Sequence, residues 1–412
     1  MRIIELNQIQ YRNYSNIHSK RNFGQTVEYS LLDANNNKKR LFLGMIDDNN
    51  NLCAATLILI TQISPSVKRA DAPNGFLIDY ADYELVRIFT DKLKEYLLRE
   101  KITFLTTNPM FKYKVYNKAN KVIVNNSNLL DNLYKLDYQS IGYANDFSKY
   151  DVIVDGNDSA FEIYKNFNRN TKRNIRDAQA IGVTLVKGKN EDIDIAYDIF
   201  KKKTKNGIEF YKNLLEVYNN KDNKTEIFFV KLNPNKYLIN CKQLYENERN
   251  RNEKLHIAFN KKRGYVKEKI LNRKIESDMA LEKYNRMLNK AIKFSQTHNE
   301  DVIIGTSIIM RNNREIYFLI DGYKEEYRAI NSTHILKWAI IKKYNSVGYR
   351  IFNLGEIHKN YNDKTSKYYR QYLYKIGFAG NVCEYPPSLI LVINKRVYSA
   401  YEKLNMFKFK KK

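Results

Sequence analysis

The sequence of 412 residues predicts an α/β protein with two similar α/β domains and an inserted helical arm. Two regions repeat the order strand, strand, helix, strand, and the tetrapeptide Phe-Leu-Ile-Asp occurs in both, at 76–79 and at 318–321. A third region, 236–299, has one glycine and no proline. We therefore predict a first domain over 1–152, a second domain over 153–235 and 300–412, and the arm over 236–299.

In the first repeat, apolar runs at 40–47 and 51–63 predict paired strands. A helix over 83–100 and a strand over 102–106 follow. The helix is indicated by apolar residues at helical spacing, namely Leu85, Ile88, Phe89, Leu93, Tyr96 and Leu97.

In the second repeat, strands over 301–310 and 315–320 flank a turn at Asn312-Asn313. A helix over 328–344 and a strand over 349–354 complete it. Between the repeats we predict strands near 139–145, 183–187 and 225–232, and helices over 158–180, 194–205 and 210–218.

The arm carries sixteen Lys or Arg residues against seven Asp or Glu residues. In its second half, apolar side chains follow the 3-4-3 spacing of a coiled-coil seam, at Leu281, Tyr284, Leu288 and Ala291. Gly264 is suited to the tip of the arm. The pattern predicts an antiparallel two-helix coiled coil, and the alternative is a solvated helical hairpin without a function of its own.

The formal net charge of +26 favours a polyanionic partner, either nucleic acid or anionic lipid. The alternative is a composition rich in Lys and Asn that reflects an AT-rich genome. No secretory signal is visible, and the most apolar stretch, 52–63, is shorter than the about 20 residues of a membrane span. The three cysteines and five histidines show neither disulfide nor metal spacing. We therefore expect an intracellular protein without metal or cofactor.

Short motifs in order along the chain carry a resemblance to a known family. They are Asn74–Tyr80 (similar to RGPVIDY), Asn108-Pro109 (DP), Lys172–Arg176 with Gly182-Val183 (RRNIKK…GV), Lys337–Ala339 with Phe352–Gly355 (KWA…YNFYG), and Tyr374–Phe378 with Glu384-Tyr385 (FKKGF). Together they resemble the Fem (FemABX) family of peptidoglycan interpeptide-bridge aminoacyltransferases.

The resemblance implies two GNAT-like (acyl-CoA N-acyltransferase-like) domains that face one cleft. It also implies transfer of Gly, Ala or Ser from aminoacyl-tRNA to the stem peptide of lipid II or UDP-MurNAc-pentapeptide. The protein would then be cytoplasmic, with peripheral contact at the inner face of the cytoplasmic membrane, and related Fem-type transferases would be further partners.

The chemistry needs positioning and oxyanion stabilisation, because aminoacyl-tRNA is already an activated ester. By its match to the family lysine, Lys375 is the candidate catalytic cation; an ordinary surface lysine is the alternative.

The resemblance also implies substrate-binding roles for Asp79 and Tyr80 on the cleft wall, and for Tyr211, Asn108 and Phe318. Like charges on one helix face make Lys172, Arg173 and Arg176 candidate phosphate contacts. The alternatives are a structural role for Asp79 and Tyr80, a helix-packing role for Tyr211, and a solvated helix face for the three basic residues.

Three positions depart from the family pattern and bear on acceptor recognition. Asp33 occupies the position where family members have a Lys that binds the phosphates of the precursor. Asn108 replaces a family Asp, and Phe318 lies near the position of a family Tyr.

Two other function classes compete with this interpretation. The first is an acetyl-CoA-dependent GNAT acetyltransferase, although the loops 79–82 and 321–326 carry carboxylates where pyrophosphate would bind. The second is a non-catalytic tRNA-binding Fem-like protein that uses the positive charge and the arm alone.

Overall fold

The computed structural model describes residues 1–32, 38–143, 149–261, 264–312 and 314–409. Asp33, Asn313 and the last residues of the strand predicted at 139–145 lie outside these ranges. Along the described residues the strands are β1 (Arg2–Glu5), β2 (Lys39–Ile46), β3 (Leu52–Ser64), β4 (Val67–Ala72), β5 (Phe104–Thr107), β6 (Lys114–Tyr116), β7 (Val122–Asn125), β8 (Tyr138–Gly142), β9 (Tyr150–Asp155), β10 (Thr184–Lys187), β11 (Lys224–Leu232), β12 (Val302–Arg311), β13 (Glu315–Tyr323), β14 (Ile351–Ile357), β15 (Asn381–Glu384) and β16 (Ser388–Val392).

The α-helices alternate with these strands along much of the chain. They are α1 (Gln8–Ile17), α2 (Val27–Leu32), α3 (Tyr83–Arg99), α4 (Ser127–Lys135), α5 (Ala160–Lys165), α6 (Arg169–Ala180), α7 (Ile193–Phe200), α8 (Ile208–Val217), α9 (Pro234–Lys261), α10 (Gly264–Thr297), α11 (Ser332–Ser346), α12 (Tyr369–Ile376) and α13 (Lys395–Phe409). None of the described helices is both long enough and apolar enough to cross a membrane.

The strands form two sheets. The order across the first is β1-β2-β3-β4-β5-β16-β8, and across the second β10-β11-β12-β13-β14-β9-β15-β6-β7. Each sheet has its own large apolar core, because helices cover the apolar faces of its strands.

The same unit occurs once in each sheet. β3 pairs with β4 antiparallel and β4 with β5 parallel, with α3 as the crossover. β12 pairs with β13 antiparallel and β13 with β14 parallel, with α11 as the crossover. The repeated order predicted from sequence therefore corresponds to a repeated structural unit.

The repeated tetrapeptide is placed differently in the two units. Residues 318–321 lie within β13, whereas 76–79 follow β4 and pair with a strand at a single bridge, Ala55 to Leu77. The structural counterpart of β13 is thus β4, which the sequence pattern did not predict as a strand.

The two sheets exchange segments across the predicted domain boundaries. β6 and β7, from the first 152 residues, lie in the second sheet, and β16, from 300–412, lies between β5 and β8 in the first. Such pairing between distant parts of the chain leaves no local sequence signal.

α9 and α10 pack against each other in antiparallel directions, since Tyr237 contacts Phe294 near one end and the Ser277 hydroxyl donates to Glu248 farther along. Their base belongs to the core of the second sheet, where Cys241 and Ala291 are buried. The base of the predicted arm therefore packs in the core of the second sheet, and the domain bounds and the coiled-coil geometry stay predictions.

Candidate active site

Three cavities adjoin one another through shared lining residues. The first has a volume of about 780 Å³ and the second about 270 Å³, and Tyr317 and Glu356 line both. A third cavity of about 250 Å³ shares Asn74 and Asn108 with the second. Residues of the first half line the third cavity and residues of the second half line the first, so the second cavity connects the two halves.

Lys375 lines the first cavity. It stands in the last turn of α12, and its side chain is only 9% exposed. Its ammonium donates a hydrogen bond to the main-chain oxygen of Glu356 at 2.8 Å. Burial, together with the neighbouring charge of Lys337, lowers the pKa of Lys375 to about 8. The site thus contains a poorly solvated cation, which a negative charge in the cavity would stabilise.

A bulge in β14 creates the space beside that ammonium. The pairing of β14 with β9 shifts between Asn353 and Glu356, and Gly355 has a φ of +82°. A β-carbon on Gly355 would lie 3.4 Å from Lys375 Nζ and 3.1 Å from the Phe318 oxygen. Glycine is therefore needed for the backbone conformation, and it also avoids a tight contact with the main chain of β13 beside the lysine.

A second lysine is buried below the first cavity. Lys337 of α11 is 1% exposed, and its Nζ lies 2.7 Å from Asp321 and 3.9 Å from the centre of the Phe318 ring. Asp321 also accepts a hydrogen bond from the Ser307 hydroxyl at 2.7 Å. Burial acts to raise the pKa of Asp321, but the ion pair with Lys337 outweighs it and lowers that pKa. This pair supports the cavity floor as a fixed, charged unit.

Three carboxyl groups line the second cavity: Asp151, Glu315 and Glu356. Glu356 is exposed, but partial desolvation by the surrounding protein and the neighbouring Asp151 raise its pKa to about 7, although Lys375 opposes the shift. Burial likewise raises the pKa of Glu315 to about 7. Asp151 accepts a hydrogen bond from Asn353 at 2.7 Å, yet burial still raises its pKa. The pocket can therefore exchange protons near neutral pH.

The structure brings four of the residues predicted from sequence into this region. Lys375, Phe318 and Tyr211 line the first cavity, and Asn108 lines the second. Tyr211 is buried, and its hydroxyl donates to the Thr204 hydroxyl oxygen at 2.8 Å. These side chains come from α12, β13, α8 and the segment after β5.

Asp79 and Tyr80 are not among the residues that line the three cavities. Asp79 is exposed and accepts from the Ala81 amide. Tyr80 is buried, and its hydroxyl accepts from the Phe76 amide at 2.9 Å. Asp79 thus has the contacts of a turn residue, and Tyr80 has those of a residue that packs in the core.

The basic residues of α6 also lie apart from the cavity linings. Lys172 donates to the main-chain oxygen of Lys165 at 2.9 Å. Arg173 and Arg176 are exposed on the helix surface. Any substrate contact by these three residues would therefore be made outside the cavities.

Sequence reasoning missed several of the charged residues of the site. Lys337 and Asp321 occurred in quoted motifs but were given no role, and Asp151, Glu315 and Glu356 were not singled out. A signal was present for Lys337, since a lysine that interrupts the apolar run from Ile335 to Ile341 indicates a buried, paired charge. Among the described residues no group of His, Cys, Asp and Glu is arranged to hold a metal.

Comparisons with known proteins agree with this architecture. The FemAB family model matches residues 6–406. Aminoacyltransferase FemA of Staphylococcus aureus (strain bovine RF122 / ET3-1) is 23% identical over 402 residues, which are 94% of each chain. Aminoacyltransferase FemA of Staphylococcus epidermidis is 23% identical over 395 residues, 92% of this chain and 93% of the relative.

A solved structure shares the fold across nearly the whole chain. The crystal structure of FemX superposes with a TM-score of 0.73 at 16% identity and covers 97% of this chain and 99% of that one. The predicted α/β class is thus confirmed, and the protein is an aminoacyltransferase. The chain belongs to the FemAB family.

Proposed function

We propose that this protein transfers one amino acid, Gly, Ala or Ser, from aminoacyl-tRNA to a stem-peptide amine of lipid II or UDP-MurNAc-pentapeptide. The observation that carries the proposal is the buried Lys375 ammonium, which faces a large cavity beside titratable carboxyl groups. The FemA relatives support the class of reaction, aminoacyl transfer.

In this reaction the acceptor amine attacks the carbonyl carbon of the aminoacyl ester. The carbonyl oxygen becomes an oxyanion, and Lys375 stabilises it from a poorly hydrated position, where an electrostatic interaction is strong. When the tetrahedral intermediate collapses, the bond to the ribose oxygen breaks. The products are an amide and the terminal ribose hydroxyl of tRNA.

Glu356 accepts the proton that the amine loses. It lines both cavities, so its carboxylate can reach an amine in the second cavity while the ester occupies the first. A pKa of about 7 suits a base that works near neutral pH. The proton then passes from Glu356 to the leaving ribose oxygen, and the carboxylate is restored.

The donor end of tRNA occupies the first cavity. Lys203, Arg328 and Arg370 line it and present positive charge to the phosphates of the terminal nucleotides. The basic surface of α9 and α10 contacts the tRNA body. We place Lys172, Arg173 and Arg176 in the same role, as phosphate contacts on the outer surface.

The acceptor occupies the second and third cavities. Lys38 lines the third cavity, where a precursor phosphate would meet a cation even though the family lysine is replaced by Asp33. Asn108, which lines both cavities, offers an uncharged side chain in place of the family aspartate. On this proposal the protein is cytoplasmic and touches the inner membrane face, and related Fem-type transferases act on its product or supply its substrate.

The test is mass spectrometry of a lipid-linked precursor after incubation with the protein and a mixture of aminoacyl-tRNAs. A mass increase of one Gly, Ala or Ser residue is expected. An acetyl shift with acetyl-CoA in place of tRNA would instead favour the acetyltransferase alternative. Tight tRNA binding without a mass shift for any precursor would favour the non-catalytic one.

A further inference from the structure

The outer edge of the second sheet carries an exposed apolar strand. β7 is the last strand in that sheet and pairs on one side with β6. Its Val122, Ile123 and Val124 side chains are 50%, 52% and 40% exposed. Successive residues of a strand point to opposite faces, so both faces of β7 are open. Edge strands are usually protected by charge, proline or a covering element, which these three positions lack.

Lysines also lie along the hairpin that contains this strand. The β6–β7 hairpin, defined here as residues 112–125, contains Lys112, Lys114, Lys118 and Lys121 and no Asp or Glu. All residues from 118 to 125 are exposed. Apolar side chains bordered by lysines on an acid-free segment are complementary to an anionic lipid surface, where the apolar groups enter the headgroup region and the ammonium groups meet phosphates.

The hairpin is firmly attached to the wall of the second cavity. Val115 of β6 pairs with Cys383 of β15 and lies in one apolar cluster with Tyr385, which lines that cavity. The Tyr116 hydroxyl donates to Glu384 at 2.6 Å. At the turn, Lys118 donates to the main-chain oxygen of Asn166 at 2.8 Å. A surface that contacts the β6–β7 hairpin is therefore held at a fixed position relative to the cavity.

We propose that the β6–β7 hairpin is the surface with which this protein docks on an anionic phospholipid bilayer. This inference rests on the proposed function in one respect: a lipid-linked acceptor would reach the second cavity from the side of the protein that contacts the bilayer. Pairing of β7 with a second copy is disfavoured, because it would bring two lysine-rich hairpins together in a protein of net charge +26.

Vesicle co-sedimentation tests the proposal with the full-length protein. The probes are vesicles of phosphatidylglycerol mixed with phosphatidylcholine, and of phosphatidylcholine alone. We expect binding to the anionic vesicles that weakens as salt rises. Ile123→Ser should weaken it about tenfold, whereas Leu98→Ser, at an equally exposed position (53%) on α3, should not. Lys121→Ala should weaken it about fivefold, whereas Lys395→Ala, at an exposed position on α13, should not.

Three results would overturn the inference: no binding to anionic vesicles, equal losses in Ile123→Ser and Leu98→Ser, or self-association that Ile123→Ser abolishes without any vesicle binding. Transfer to the water-soluble UDP-MurNAc-pentapeptide, measured in the same variants, separates the two proposals. A protein that docks on vesicles but transfers nothing would refute the proposed function and leave the docking surface standing.

Discussion

The ammonium of Lys375 and the main-chain oxygen of Glu356 lie 2.8 Å apart, and the lysine donates a hydrogen bond across this gap. The contact joins the last turn of α12 to the bulge of β14. It orients the cation toward the first cavity while the Glu356 side chain lines both cavities. The backbone of one irregular strand thus carries the candidate base and fixes the candidate oxyanion-stabilising cation.

Replacing Lys375 by Met should lower kcat of aminoacyl transfer by about 10²- to 10³-fold, because oxyanion stabilisation is lost. The melting temperature should not fall, since a buried and poorly solvated cation is exchanged for an apolar side chain of similar length. Lys364→Met, at an exposed position in the preceding loop, is the control. Wild-type rates in Lys375→Met would remove this lysine from the mechanism.

The rate of transfer should follow a narrow bell-shaped dependence on pH. Glu356 must be ionised to accept a proton, so kcat/KM should rise through its pKa of about 7. Lys375 must be protonated, so kcat/KM should fall above its pKa of about 8. In Glu356→Gln the acidic limb should vanish and the rate should drop about 10²-fold. A flat profile between these pKa values and well beyond them would argue against both assignments.

Gly355→Ala should reduce both activity and stability. The positive φ alone costs about 1 kcal/mol of folding free energy for a residue with a β-carbon, and that atom would also lie only 3.1 Å from the Phe318 main-chain oxygen, beside Lys375. Gly142→Ala is a matched control, because Gly142 has the same φ of +82° with nothing within 4 Å of the added atom. Thermal unfolding should show a loss in both variants that is larger in Gly355→Ala, whereas kcat should fall only in Gly355→Ala.

Glu315→Gln should stabilise the protein at alkaline pH. The pKa of Glu315 is about 7 in the folded protein and about 4.3 in the unfolded chain. The stabilisation linked to this group is therefore fully present below about pH 4.3 and is lost as the pH rises through about 7. Glutamine stays neutral, so the gain should reach about 3 to 4 kcal/mol at pH 8 and disappear near pH 4. Chemical denaturation at both pH values measures it, with the exposed Glu191→Gln as the reference. A gain that does not change with pH would contradict this explanation.

Reversing exposed charges on α9 and α10 should weaken tRNA binding. Deleting the whole predicted arm, 236–299, would remove Tyr237 and Phe294 from the core, so substitution is the cleaner experiment. The triple variant Lys254→Glu, Lys269→Glu, Arg273→Glu should raise the Kd for tRNA and flatten its dependence on salt.

The control for the arm carries the same charge change elsewhere, in Arg2→Glu, Lys364→Glu and Lys395→Glu. Salt slopes that are identical in the two triple variants would show that the arm makes no phosphate contacts.

The sequence was sufficient for the local parts of the structure. The apolar spacing in 83–100 predicted α3, and the repeated order of elements predicted the helix over 328–344, most of which is α11. The motif around Lys375 led to the first cavity. The ion pair of Lys337 with Asp321 could not be found in this way, because it depends on how the crossover helix packs on its sheet. Asp151, Glu315 and Glu356 come from three different strands, and only the order of those strands brings them together.

The exchange of β16 into the first sheet has a consequence during synthesis on the ribosome. β5 and β8 are made early, yet the strand that fills the gap between them ends at residue 392 of 412. Until β16 emerges, β5 and β8 each have an unpaired edge, and unpaired strand edges favour aggregation with other unfolded chains. A prematurely terminated product would keep both edges open, so quality control should recognise it as a misfolded protein, even though most of its residues have already been made.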